Sequence, residues 1–240
     1  SILSAEQFDA WGWRVPFMLS IIMVYVSYLI RKNMDESPEF QKAKTEGKVS
    51  ANPLKESFGN RYNLKFVLLA LFGAAMGQGV VWYTGQFYSM SFMKTLMFLD
   101  SDQADTILGT ALLIGTPFFI VFGWLSDKIG RKWIMLSGML LAILTYRPIY
   151  KAMYVVTDIH QKEEVLAKTI RTSGLDEVHN ASFETTEKEY TDGTSSKVTT
   201  STTIGEAKET IKTTITIQGK NRVWLTALIF IQIIYITMVY

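Results

Sequence analysis

Apolar and polar residues alternate along this chain in long blocks. Five stretches are apolar: 15–30, 66–93, 106–124, 133 to about 154, and 223–240. Each, with its flanks, approaches the roughly 20 residues that a helix needs to cross a bilayer. The pattern predicts five spanning helices, joined by polar blocks at 31–65, 94–105, 123–132 and 155–222. Trp11 and Trp13 precede the first stretch, as aromatic residues do at a membrane boundary.

The second apolar stretch differs from the others. It holds Gly73, Gly77, Gly79 and Gly85 together with Gln78, Trp82, Tyr83 and Gln86. At helical spacing, Ala75, Gln78, Gly79, Trp82, Gly85, Gln86 and Ser89 fall on one face that is small and polar. An amide in lipid needs a partner, so this face is expected to point into the protein or a wet cavity. Helix packing would also use the small residues, but Trp82 is too bulky for a close seam and suits a cavity wall. The substrate-facing candidates are therefore Gln78, Trp82, Tyr83 and Gln86. In the third stretch Gly115-Thr116-Pro117 predicts a kink or break. Arg147, followed by Pro148, lies towards the end of the fourth. It reads as a cation snorkelling to the interface, with a place on the substrate path as the rival reading.

The polar blocks fix a direction. In 31–65, Arg31, Lys32, Lys42, Lys44, Lys48, Lys55, Arg61 and Lys65 outnumber the acids. The block 127–132 carries Asp127 against Lys128, Arg131 and Lys132. Short basic loops collect on the cytoplasmic side, and alternation of five spans puts both of these loops there. The same alternation makes 94–105 and 155–222 external. Within the first block, Ser37-Pro38-Glu39 and Asn52-Pro53 read as starts of short surface helices. Phe40 with Ala43, and Leu54 with Phe58, would supply their apolar faces. Asp100 and Asp102 read as caps before the third span, with Asp105 in its first turn. The block 155–222 is rich in threonine and charge. It predicts a short helix at 160–170, a hairpin at Asp192-Gly193 and a strand through Ile211, Thr213, Ile215 and Ile217. A disordered polar loop is the alternative there. Asn180-Ala181-Ser182 fits a glycosylation triplet.

Composition adds three exclusions. Of the 240 residues 48% are hydrophobic, which fits the membrane class. A net charge of +2 gives no case for nucleic acid as a partner. With no cysteine, and with His160 and His179 both in a polar block, neither a thiolate nor a histidine metal site is expected. No nucleophile–base pair or phosphate loop can be assembled, so an enzyme is not expected. The chain starts at Ser1 and stops within an apolar stretch at Tyr240, which reads as an internal piece of a longer membrane protein.

The loop 123–132 carries a resemblance. Gly123, Asp127, Lys128, Gly130, Arg131 and Lys132 resemble the signature Gly-x-x-x-Asp-(Arg/Lys)-x-Gly-Arg-(Arg/Lys) of the major facilitator superfamily. Trp11-Gly12-Trp13-Arg14-Val15-Pro16-Phe17, Glu36-Ser37-Pro38-Glu39-Phe40 and Trp82-Tyr83-Thr84-Gly85-Gln86-Phe87 are similar to its metabolite:proton symporter family. That family includes shikimate, alpha-ketoglutarate and proline/betaine carriers. The resemblance covers 11–153 and resumes near 223. It implies an all-α membrane fold comprising spans six to nine and the start of ten, with a small β-rich or disordered external insertion. The chain would then divide into 1–30, lead and span six; 31–65, central cytoplasmic loop; 66–154, spans seven to nine; 155–222, insertion; and 223–240, span ten. The resemblance further implies proton-coupled symport of a small polar or anionic metabolite across the cytoplasmic membrane, by alternating access between two six-span halves. No cofactor is implied beyond the coupling proton. The partners implied are the metabolite, the lipid bilayer and the remaining spans of the same protein. Gly123 to Lys132 would act as a gating loop, with Asp127 meeting the end of a neighbouring helix. No Asp or Glu lies in an apolar stretch, so the coupling carboxylate is expected elsewhere. Two rivals stay open. A sugar porter would share Glu36-Ser37-Pro38, Gln78 and Gln86, but an expected Asn is missing. A solute sensor would use the insertion as its ligand-binding part.

Overall fold

The computed structural model describes residues 4–34, 38–47, 52–176, 181–203 and 209–240. Five helices within it are long and apolar enough to cross a membrane: Gly12–Asn33, Arg61–Thr95, Ser101–Ile129, Arg131–Thr157 and Gly219–Val239. The chain divides into two compact units, residues 1–64 and 65–240.

In the first unit, α1 (Ala5–Ala10) starts at a capping box in which Ser4 and Gln7 exchange hydrogen bonds of 3.3 Å. A 3₁₀ turn at Gly12–Arg14 leads into α2 (Val15–Asn33), which has Pro16 in its first turn and Arg31 and Lys32 in its last. Every residue of α2 is exposed, although the helix is mostly apolar, so its surface is one that lipid or a further helix would cover. Two short helices come next, α3 (Pro38–Thr45) and α4 (Pro53–Gly59). Asn52 caps α4 as predicted, its side chain accepting from the Lys55 amide at 3.2 Å. The predicted cap Ser37 lies outside the described residues, and so does the side chain of Ala43. Leu54 and Phe58 are both exposed.

The second unit is built around its last helix. The Arg61–Thr95 helix comprises α5 (Arg61–Ala70), a π turn at Leu71–Ala75, α6 (Met76–Tyr83), a second π turn at Thr84–Tyr88, and α7 (Ser89–Thr95). Asp100 then caps α8 (Ser101–Gly115) by accepting from the Gln103 amide, with Asp102 in the first turn. The predicted break falls at Thr116, where Pro117 opens α9 (Pro117–Ile129). The Thr116 hydroxyl bonds back to the Leu112 carbonyl at 2.8 Å. After the single residue Gly130 comes α10 (Arg131–Thr157), which carries Pro148 inside it. The final helix, α11 (Gly219–Val239), buries nine residues, from Leu225 to Val239. Three neighbours give it room. A Cβ on Gly85 would stand 2.8 Å from Ile236, one on Gly115 would overlap Ile233, and one on Gly138 would meet Val239 at 2.8 Å and Met238 at 2.9 Å. Between apolar helices in lipid, this close backbone approach supplies the van der Waals contact that holds them together.

Residues 170–216 form a four-stranded antiparallel meander, β1 (Ile170–Asp176), β2 (Ala181–Glu189), β3 (Ser195–Thr203) and β4 (Glu209–Thr216), in that order. The described residues of the block 155–222 thus include a β-sheet, and the Asp192-Gly193 hairpin joins β2 to β3 with Gly193 at φ 80°. The helix predicted at 160–170 does not form. Two 3₁₀ turns, Ile159–Gln161 and Leu166–Lys168, replace it. The segment is drawn out against the end of β2: the Val165 amide donates to the Glu189 carbonyl, and the Thr191 amide to that of Glu163. The Glu164 carboxylate accepts from Lys188 and Thr169, and these bonds hold it below the usual carboxylate range. In the triplet at 180–182, Asn180 lies outside the described residues.

The sheet is fastened to the ends of four helices. The Ile215 amide donates to the Phe98 carbonyl at 2.7 Å, and the Asp100 amide to the Ile215 carbonyl at 2.8 Å. The Gln103 side chain donates to the Ile217 carbonyl and accepts from its amide. On the other side, Lys162 reaches the Val156 carbonyl and the Thr194 hydroxyl at 2.6 Å each, and Asp192 at 2.7 Å. Asn221, in the first turn of α11, donates to the same carboxylate at 2.8 Å. Burial alone would raise the Asp192 carboxyl. The bonds from Lys162, Thr194 and Asn221 outweigh it and bring it down to about 2. A depressed carboxyl contributes stability that is complete above its unfolded value and is lost as pH falls through its folded one. The protection factor of the Thr194 amide, its exchange rate relative to the intrinsic rate at each pH, should therefore hold steady from neutral pH to about pH 4 and fall only from there towards the folded value near 2. Asp192→Asn should lower it at neutral pH and remove this pH dependence.

Candidate functional site

The polar residues of the Arg61–Thr95 helix occupy one side of it in part. Gln78, Trp82 and Gln86 are half-buried, and Gly85 and Ser89 are buried. Gly79 is half-buried, whereas Ala75 is exposed and leaves the predicted face. Tyr83 is brought elsewhere: it is 64% exposed and stacks on Phe87 with ring centres 5.1 Å apart. Tyr83 follows Trp82 by one residue within α6, so it lies about 100° round the helix and off that face in any α-helical count. Ala75 closes the first π turn, which takes in one residue more than an α turn and offsets it from the later residues. Trp82 packs on Tyr240 of the α11 end at 5.2 Å, and Tyr240 meets Phe119 of α9 edge-on at 5.8 Å.

Behind this side lies a network that periodicity did not point to. Tyr146 and Tyr150, one turn apart on α10, donate to the carbonyls of Val81 and Thr84 at 3.1 and 2.7 Å. The Thr84 carbonyl heads the second π turn. It lies 3.2 Å from the Ser89 hydroxyl, which is 2.8 Å from the Tyr150 hydroxyl and 3.0 Å from Oε1 of Gln232 on α11. Ser89 and Gln232 are both fully buried. The other end of the Gln232 amide approaches the Met153 sulfur at 3.5 Å. Nearer the opposite end of α11, Thr145 donates to Tyr235 at 2.9 Å. The network thus ties three helices to one turn of backbone. The sequence signal for it was the Tyr146/Tyr150 pair at i,i+4 in an apolar helix, together with the single amide of the last span.

The basic hairpin lies at the far end of the bundle from the sheet. Gly130 joins α9 to α10 with φ 103°, in the region that favours glycine. Asp127 Oδ1 lies 3.6 Å from Arg131, across the Gly130 junction, and both are well exposed. The Lys128 ammonium stands over the Trp124 ring at 3.9 Å, and that of Lys132 lies 5.7 Å from the Trp133 ring. Asp127, Arg131 and Gly123 line a cavity of about 390 Å³ against the last turn of α11, Thr237 to Tyr240. Arg147 is exposed on α10.

Gly130→Ala should destabilise the hairpin by about 1–3 kcal/mol, the usual cost of a side chain in sparsely populated backbone space. Thermal unfolding in detergent measures it. Gly123 has open space where a Cβ would go, so Gly123→Ala should leave this chain's own packing intact.

Comparison with known proteins agrees with this architecture. Residues 1–153 match the family model described as Major Facilitator Superfamily. The chain is 34% identical over 136 residues to the putative transporter YdfJ of Escherichia coli (strain K12), covering 55% of this chain and 30% of that protein. It is 29% identical over 140 residues to a putative proline/betaine transporter of Staphylococcus haemolyticus, covering 57% of this chain and 28% of that protein. It is 26% identical over 153 residues to the shikimate transporter of Escherichia coli (strain K12), covering 62% and 34% respectively. The chain spans about a third of the length of these relatives. No solved structure matches.

Proposed function

The chain belongs to the major facilitator superfamily, and from that premise we propose that the full-length protein is a secondary active transporter. Its cargo is a small polar or anionic metabolite, carried by proton-coupled symport through alternating access. The observation that carries this reading is the half-buried polar side of the Arg61–Thr95 helix, where Gln78 and Trp82 precede a π turn and Gln86 lies within it. Amides beside an aromatic ring suit a polar metabolite that presents carbonyl, carboxylate or hydroxyl groups. The names of the relatives, which include proline/betaine and shikimate transporters, support the same solute class.

The remaining assignments extend this reading. The segment is spans six to nine with part of ten, and the sheet lies outside the cell membrane. The loop Gly123, Asp127, Lys128, Gly130, Arg131 and Lys132 is cytoplasmic and gates the inner side. Its cavity against α11 is where a charge partner from the other half would enter. The proton-coupling carboxylate lies in spans beyond this chain.

Counterflow of labelled proline, glycine betaine and shikimate in proteoliposomes of the full-length protein tests the proposal. One of them should exchange, and an inward proton gradient should accelerate its net uptake. Exchange without any effect of the gradient would make the protein a uniporter. Gln86→Ala and Trp82→Ala should each weaken uptake about ten-fold through KM, the scale of one lost hydrogen bond or ring contact, with expression unchanged. Unaltered kinetics in both would remove these residues from the substrate path.

A further inference from the structure

The second π turn is an irregularity that specific side chains of the neighbouring helices hold in place. π turns are rare, and they occur mostly as single turns inside α-helices, often at functional sites. Here the turn Thr84–Tyr88 contains Gln86 and immediately succeeds Trp82 and Tyr83. Its leading carbonyl, Thr84, accepts the Ser89 amide from five residues on and also the Tyr150 hydroxyl at 2.7 Å. Contacts from both α10 and α11 converge on Ser89, which closes the turn and has no exposure.

We infer that Tyr150, Ser89 and Gln232 are positioning residues that hold the Thr84–Tyr88 turn in its π form and so set the direction in which Gln86 faces. This rests on the transport reading and adds to it residues outside the proposed contact set. The placement of the hydrogens is the main reason. The hydroxyls of Tyr150 and Ser89 carry two hydrogens between them. Four acceptors are within reach: the Thr84 carbonyl, Gln232 Oε1 and the two hydroxyl oxygens themselves. Tyr150 can give its hydrogen to Thr84 or to Ser89, and in either case Ser89 still serves Gln232. The Thr84 carbonyl keeps an amide in both arrangements. A turn held this way can change its partner without leaving a buried polar group bare. An apolar contact would hold the turn but could not exchange in this manner. If the turn relaxes to an α turn, one residue is lost from the count. The helix on one side then rotates by about 100° against the other, and the direction in which Gln86 faces α10 and α11 changes with it.

The test needs no identified solute. Gln86→Cys is introduced into the full-length protein with its other cysteines, where present, replaced. The rate of reaction with a membrane-impermeant maleimide then reports how residue 86 faces. Adding Tyr150→Phe should change that rate at least five-fold, whereas Tyr154→Phe, one turn along α10, should leave it within two-fold. An unchanged rate in Tyr150→Phe overturns the inference. Where Tyr150→Phe fails to accumulate, Ser89→Ala, which deletes one buried hydroxyl, is read by the same criterion. In the protein with Gln86 restored, Tyr150→Phe should raise KM for the transported solute with little change in maximal rate. A maleimide shift without transport of any solute offered would uphold the positioning role and count against the transport reading. Transport with normal KM and a normal maleimide rate would do the reverse.

Discussion

Close approach to α11 is the constraint on which the rest of the second unit depends. Within a bilayer, apolar side chains gain nothing by leaving lipid for one another, so helices associate through contact at short range and through shared hydrogen bonds. Gly85, Gly115 and Gly138 come from three different helices, and each is a notch for a different part of α11. Together they let α11 bury Ile229, Ile233 and Ile236 almost completely. The same approach brings Gln232 within reach of Ser89. A Cβ at Gly85 would have to displace the Ile236 side chain, 2.8 Å away, beside the Gln232 carbonyl at 3.6 Å, next to the 3.0 Å bond between Ser89 and Gln232. Packing and polar contact are here consequences of the same small residues.

That geometry also makes sense of where the irregular backbone lies. A π turn in lipid leaves carbonyls that need extra donors, and a membrane helix keeps such a turn only where neighbours supply them. Tyr146 and Tyr150 supply them from α10, in register with Val81 and Thr84. The candidate site residues Gln78, Trp82 and Gln86 therefore sit on a helix whose irregular turn is bonded to another helix. Gln78 and Trp82 precede that turn and Gln86 lies within it, and Tyr83, one residue and about 100° on from Trp82, faces outward.

The five spans were legible in the sequence because a bilayer demands that each crossing segment satisfy its own backbone, which forces long uncharged runs. The Gly-Thr-Pro break, the Asp100 and Asn52 caps and the Asp192-Gly193 hairpin were legible for a similar reason: each depends on a few adjacent residues. The polar face was legible in large part, since Gln78, Gly79, Trp82, Gly85, Gln86 and Ser89 are all buried or half-buried. The π turns were not: neither leaves a mark that a single sequence displays. At 160–170 the helical spacing is genuine but weak. The bond between Glu164 and Lys188 and the pairing of Val165 with Glu189 override it, and they arise from residues more than twenty positions away. Ser89 falls on the expected face, but its partners on α10 and α11 are long-range and carry no local sign.

The two ends of the bundle are held by charge in opposite ways. At the sheet end, Lys162 and Asp192 have side chains 11% and 35% exposed, and they share further bonds with Val156, Thr194 and Asn221. A charge pair embedded in such a network fixes the ends of α10 and α11 to the sheet, and β4 fixes the loop before α8. At the hairpin end, Asp127 and Arg131 are 70% and 88% exposed and 3.6 Å apart within one hairpin. An exposed ion pair contributes only about 0.2–1 kcal/mol, so neither charge is committed. Both can exchange this contact for a stronger one at little loss, whereas breaking the contacts of Lys162 would strand a mostly buried ammonium. The bundle is therefore braced where the insertion meets it and weakly tied where Gly130 turns. Any motion of these helices against a further part of the protein meets less resistance at the hairpin end than at the sheet end.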